Sequence, residues 1–396
     1  MNQNPMPNKW LMFVILLISA VTVSLSQLKI AAVLGDVAAM LNVSGTQASI
    51  LMSLFTVAGI VLSIPGAAVM AKTGTKNMLL ILMASLVAGN LLGGITNNFT
   101  VVMLSRIVEG ISYALIITVG IDLINRWFEG GAVGTATGIF NTFAAAANFI
   151  GMNMSLVIRD TMGLKGLWWT IAVLSAVCFF LVLFVVRVPE RAANGGTDQG
   201  VSVKEAVRNP ALLITCLSML CLSFVLFGFI TCYPQIFAYY GIDQTTANFY
   251  ASLNGLFGIP TCIVCGIAVG KSGKPFIAAI IGAVGCALTC FFIPYLGSST
   301  YVIHVIASAI FPGGLVMTSM FIFTPQLAKR PQLIGLSMGM LNTLYYIGVF
   351  ASTPVLVALS NNNTTWTAPS LLMTAATIVV LACSIVTMGM VKKQQA

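Results

Sequence analysis

The chain has 396 residues, 58% of them hydrophobic and only 7% charged, with a formal net charge of +9 and a mean hydropathy of +1.00. A soluble domain carries about 25% charged residues, so this composition excludes an ordinary globular enzyme or binding module and places the chain in a bilayer. The apolar runs are continuous rather than alternating, which excludes a β-barrel. The basic residues are spread over short polar breaks, which excludes nucleic acid as the partner of the positive charge.

A helical span needs about 20 apolar residues. Runs near that length predict twelve spans: Trp10–Leu28, Gln47–Met70, Met78–Ile95, Thr100–Ile121, Ala132–Val157 and Leu167–Val188, then Ala211–Cys232, Ala247–Val269, Phe276–Leu296, Tyr301–Thr324, Leu333–Leu359 and Thr367–Val391. The expected fold class is all-α integral membrane, with twelve transmembrane helices in two six-helix halves, residues 1–188 and 210–396. A polar, Gly-rich cytoplasmic linker at 189–209 joins them. The N-terminal run is long for the core of a signal peptide and is read as the first span. With the N-terminus inside, 14 of the 18 Lys and Arg residues fall in cytoplasmic segments. Lys29, Arg159 and Lys165 fall outside, and Arg106 within the membrane. That asymmetry predicts a multi-pass protein of the cell (inner) membrane with both termini cytoplasmic.

Span 1 carries Ser19, Thr22 and Ser26 at helical spacing, with Gln27 and Lys29 at its outer end. The hydroxyls either line a cavity or bond their own helix backbone, and Lys29 is expected to snorkel to the outer interface. Between spans 2 and 3 the loop GAAVMAKTGTKNM holds Lys72, Gly74 and Lys76; the loop GIAVGKSGKPF between spans 8 and 9 holds Lys271, Gly273 and Lys274, with Lys72 and Lys271 199 residues apart.

Span 4 is the most informative. Arg106, Glu109 and Tyr113 share one helix face inside an apolar run, and Asp122 stands near its inner end. Ionisable residues at membrane depth face a water-filled path or a partner. Arg106 is read as the one basic residue deep in the membrane. Its planar fork suits a carboxylate or similar anion, but a structural pair with Glu109 one turn away explains it equally well. Glu109 is the one acid well inside a span. It is the candidate for proton coupling unless it only neutralises Arg106.

Span 5 contains Gly134, Gly138, Asn141 and Thr142, and span 11 repeats them as Gly335, Gly339, Asn342 and Thr343, each pair offset by 201. A period of half the chain is the trace of a duplicated six-helix unit. Asn148 lies seven residues after Asn141, and Tyr345 and Tyr346 follow Asn342 by one turn. Buried amides must be hydrogen-bonded, to another helix or to a ligand. The nine cysteines, including the pair Cys262 and Cys265, lie in apolar runs and read as packing residues. His304 is expected at the outer interface of span 10. Pro260 and Pro312-Gly313-Gly314 are expected kinks. There is no phosphate-binding loop, no nucleophile–base cluster and no metal-ligand spacing, so neither an enzyme nor a cofactor or metal is expected.

These features together resemble the major facilitator superfamily over the whole chain. The loop from Ala67 to Lys76 is similar to the superfamily's G-x-x-x-D-R/K-x-G-R/K-R/K signature at Lys72, Gly74 and Lys76, but Ala71 stands where the acid belongs and Ala67 where the first glycine belongs. Arg106-x-x-x-Gly110 resembles its span-4 motif. Arg126-Trp127-Phe128 followed by Gly134-x-x-x-Gly138 resembles organic-anion and nitrate or cyanate branches. The glycine-proline antiporter signature is absent from span 5, which reads AAAANFIGMNMS. The resemblance implies a monomeric secondary transporter working by alternating access, with spans 5 and 11 bordering a central cavity. It implies substrate contacts from Arg106, Tyr113, Asn141, Asn148, Asn342, Tyr345 and Tyr346, and proton coupling at Glu109. The cytoplasmic gate would be Lys72, Gly74, Lys76 and Asp122, with Asp122 the acidic partner of the basic loop. The expected cargo is a small organic anion such as a carboxylate, with protons as a further partner. The alternative is efflux of hydrophobic or cationic drugs.

Overall fold

The computed structural model describes residues 8–63, 65–129, 132, 136, 139–140, 142–188, 208–272, 274–297, 299–328, 333–361 and 363–395; these contain helices and turns but no strand. Ten helical runs among them are long and apolar enough to cross a membrane, and Phe143–Met162 and Pro275–Phe291 supply spans 5 and 9. The chain is a twelve-helix membrane protein of two pseudo-symmetric halves. Gly134, Gly138 and Asn141, together with nearly all of the predicted linker, lie outside the described residues.

Helix starts follow the polar residues that precede each apolar run. Asn8 and Asn98 accept the amides of Trp10 and Thr100. Ser44 and Gln47 form a reciprocal capping box, and Asn209 accepts from Leu212 with Pro210 in the first turn. Each supplies an acceptor to amides that no helical carbonyl can reach. The turn between spans 2 and 3 is closed by Gly74 at φ 83°, a left-handed backbone that a Cβ disfavours.

Three spans are not uniform helices, and in span 10 the irregularity falls at the expected kink. Span 1 does not stop at Leu28. The helix Lys9–Leu28 breaks, passes through a 3-10 turn at Ala31–Val33 and resumes as Leu34–Leu41, making one run of 33 residues. Span 2 is built in two pieces, Gly45–Leu62 and Pro65–Thr73. Span 10 widens into a π-helix over Ala309–Met317 at Pro312-Gly313-Gly314, because proline lacks the N–H that an α-turn needs.

The halves meet where span 2 packs on span 11 and span 5 on span 8. Lipid offers no hydrophobic drive between helices, so contact depends on close packing at small residues. Within the N-terminal half, Gly110 of span 4 lies directly against the Phe55 carbonyl of span 2, leaving no room for a Cβ. Across the halves, the Tyr346 ring lies on Gly59 of span 2 and its hydroxyl donates to the Tyr113 carbonyl at 3.2 Å. Tyr345 packs against three separate apolar clusters, so it stands where the subcores of the two halves converge.

Candidate functional site

The break in span 1 exposes carbonyls that a continuous helix would pair with amides four residues on. Arg106 reaches two of them. Its Nη1 donates to Ser26 O at 2.7 Å and its Nη2 to Gln27 O at 2.9 Å, while Nε donates to Leu51 O of span 2 at 3.0 Å. The same Nη1 bonds Glu109 Oε2 at 2.7 Å, and the guanidinium lies 4.6 Å from the centre of the Phe55 ring. The planar fork therefore clamps spans 1, 2 and 4 together, and little of it is left to face a ligand.

Lys29, at the break itself, completes the cluster. Its Nζ donates to Glu109 Oε1 and Oε2 at 3.0 and 2.9 Å and to Asn90 Oδ1 of span 3 at 2.5 Å, and stands 4.8 Å from the Trp168 ring of span 6. Ser26 Oγ adds a fourth contact to Glu109 at 2.8 Å. Lys29, Arg106 and Glu109 are 2%, 0% and 0% exposed. The expectations that Lys29 snorkels and that Arg106 is alone at depth are therefore corrected. The run Ile30–Leu41 is apolar except for Asp36, so the span continues past Lys29 and carries it inside. That continuing run was the sequence signal for it. Two cations and one carboxylate share one buried pocket, a formal charge of +1 when all three are ionised.

The remaining carbonyls of the break reach further. Ser155 of span 5 donates to Lys29 O at 3.0 Å. From the other half, Asn248 and Gln244 of span 8 donate to Ala32 O at 3.2 and 3.3 Å. Nearby, Arg159 bonds Asp36 Oδ2 and Gln244 Oε1, both at 2.8 Å. One discontinuity thus links the charged cluster to a contact between halves.

Beside it, the buried Gln27 side chain lies against the Tyr113 side chain, which also neighbours Tyr345. Tyr113 packs 5.6 Å from Phe55 and 5.7 Å from Tyr346 between ring centres. Asn148 is buried with both amide atoms unpartnered and packs against Gly255 of span 8. Of the residues predicted to contact substrate, Tyr113, Tyr345 and Tyr346 are brought together, and Asn148 lies on the other contact between halves. Asn342 is half-buried on span 11, and Asn141 lies outside the described residues. Gln27 was not predicted to contact substrate, because nothing in its spacing separates it from an ordinary helix-end glutamine.

At the predicted gate, Asp122 accepts Thr75 Oγ1 at 2.5 Å and pairs with Arg126 Nε at 2.7 Å. Lys76 donates to Leu183 O at 2.9 Å, and Lys72 is exposed. Trp127 donates to Arg187 O at 2.9 Å, and Phe128 packs edge-on against Trp10 and Phe13. The Arg-Trp-Phe run therefore joins span 4 to spans 1 and 6. His304, expected near the outer end of span 10, lies in its first turn and is packed inside the protein. Its Nδ1 is 2.9 Å from Tyr233 Oη and its Nε2 2.7 Å from Thr289 O, so it ties spans 7, 9 and 10 of the second half together. Cys262 is exposed and Cys265 buried, both as free thiols. Among the described residues no group of three metal-ligating side chains occurs.

The sequence profile of the Major Facilitator Superfamily matches residues 12–353. The fold is similar to the crystal structure of a mutant of the nucleoside transporter NupG, with a TM-score of 0.77 over 95% of this chain and 99% of that one, at 14% identity. An identity that low speaks for the fold alone. The profile match spans both halves and includes the clamp of Arg106 and the broken first span, and the chain belongs to the Major Facilitator Superfamily.

Proposed function

We propose that the protein is a secondary transporter that moves a small organic anion across the inner membrane by alternating access, coupled to protons through the Lys29–Glu109–Arg106 cluster. The observation that carries this reading is the buried pair of cations sharing one carboxylate, together with Asn148, whose buried amide has no partner. A net positive charge in low dielectric favours an anion near it. Two opposite unit charges about 8 Å apart gain about 2 kcal/mol at an effective dielectric of about 20. In this reading Gln27, Asn148, Tyr113 and Tyr345 contact the cargo, and Arg106 acts through its charge and by holding span 1. The charge asymmetry of the loops supports cytoplasmic termini. Neither a drug-like cation nor a lipophilic compound uses the unpartnered Asn148 amide or gains from the positive cluster.

The test is ligand-induced thermal stabilisation of the purified protein across small carboxylates, inorganic anions, nucleosides and lipophilic amines. A ligand at about 100 times its Kd adds about 2.7 kcal/mol of stability. The expected result is stabilisation by carboxylates that is lost in Gln27→Ala and Asn148→Ala. Stabilisation by nucleosides or amines alone overturns the anion reading.

A further inference from the structure

We propose that the proton exchanged by this cluster is carried by Lys29, with Glu109 a fixed anion; the inference rests on the proton-coupled reading above and locates the proton within it. Four donor contacts converge on the Glu109 carboxylate: Arg106 at 2.7 Å, Ser26 at 2.8 Å, and Lys29 at 2.9 and 3.0 Å. A proton added there would turn an acceptor into a donor facing N–H and O–H groups, and would raise the cluster from +1 to +2. Arg106 keeps its proton, since a guanidinium does not deprotonate in proteins.

Lys29 is differently placed. Its acceptors lie in two directions, Asn90 Oδ1 and the Glu109 carboxylate. A neutral amine has two N–H groups, enough to keep both bonds. Loss of one proton from the ammonium leaves the amine lone pair toward the remaining side of the pocket and takes the cluster from +1 to 0. The Asn90 amide is held for this role, because its Nδ2 donates to Leu86 O at 2.8 Å and Ser26 Oγ at 3.2 Å, aiming Oδ1 at Lys29. The charged groups facing Lys29 are Glu109 and Arg106 of span 4. Span 3 offers Asn90, span 5 Ser155 and span 6 Trp168, none of which titrates.

The three charged side chains are buried in this conformation, and in this proposal the proton passes to water when the break in span 1 opens. Ala32, three residues beyond Lys29, accepts from Asn248 and Gln244 of the other half. Movement between halves therefore pulls on the same break, and a bound anion holds the Lys29 proton in place until it leaves.

The test needs no substrate, so its failure is distinguishable from failure of the anion reading. The full-length protein, with 15N-labelled lysine, is placed in phosphatidylcholine nanodiscs and titrated over roughly pH 5 to pH 9. The expected result is one lysine Nζ resonance that passes from ammonium to amine and is missing from both Lys29→Arg and Lys29→Met. Infrared difference spectra are expected to contain no protonated-carboxyl stretch that Glu109→Gln removes. A Lys29 resonance that stays ammonium throughout overturns the proposal, as does a titrating carboxyl stretch abolished by Glu109→Gln. Two different Lys29 variants are used so that the resonance is still assigned if one of them does not fold.

Discussion

Replacing Glu109 with Gln probes the cluster most directly. The substitution keeps the volume but removes the anion that faces Lys29 at 2.9 Å and Arg106 at 2.7 Å. At a pH where Lys29 keeps its proton, two cations then remain buried together and the cluster passes from +1 to +2. Removing one partner from a buried ion pair costs about 3–5 kcal/mol, because the other charge is left uncompensated. Here two charges lose their partner, so a loss at the upper end of that range is expected. Adding Lys29→Met to Glu109→Gln returns the formal charge to +1. The double variant should therefore be more stable than the sum of the singles predicts, by about 0.5–3 kcal/mol, the range for side chains in one network. Equilibrium unfolding in mixed micelles, followed by tryptophan fluorescence, measures all four corners of the cycle. If Glu109→Gln stays within about 0.5 kcal/mol of the parent, or the two changes are additive, the ion cluster does not exist as described.

Arg106→Lys conserves charge but not the fork that holds the carbonyls of Leu51, Ser26 and Gln27; charged hydrogen bonds are worth about 1.5–3 kcal/mol each. It should destabilise by about 3 kcal/mol and speed hydrogen exchange at residues 26–33, and unchanged exchange there would refute the clamp. Gly255→Val places bulk against Ala145 O and Phe149 N across the halves, at a cost of about 1–3 kcal/mol from overpacking. Asn148→Cys, buried in the parent arrangement, should then be labelled faster by a membrane-impermeant maleimide; an unchanged rate would mean the contact does not hold the halves together.

Much of this molecule is legible from local chemistry. Twelve apolar runs specify twelve helices because a backbone in lipid must bond to itself. Asn8, Ser44, Asn98 and Asn209 mark helix starts because their side chains accept amides that nothing else reaches. The pairing of Arg106 with Glu109 follows from their three-residue spacing. Which other groups join that pair does not follow from spacing. Lys29 and Asn90 lie 80 and 61 positions from their partners. The apolar run past Lys29 signals that the lysine lies within the span, but not which groups meet it there. The choice fell to the tertiary fold, because the break in span 1 leaves carbonyls that only Arg106, Ser155 and the amides of span 8 are placed to satisfy. Local sequence thus determined the helices and the one-turn ion pair, since those interactions act within a few residues. Only the packing of the spans decided which groups meet Lys29, that the guanidinium is occupied, and that one broken helix joins the charged core to the seam between the halves.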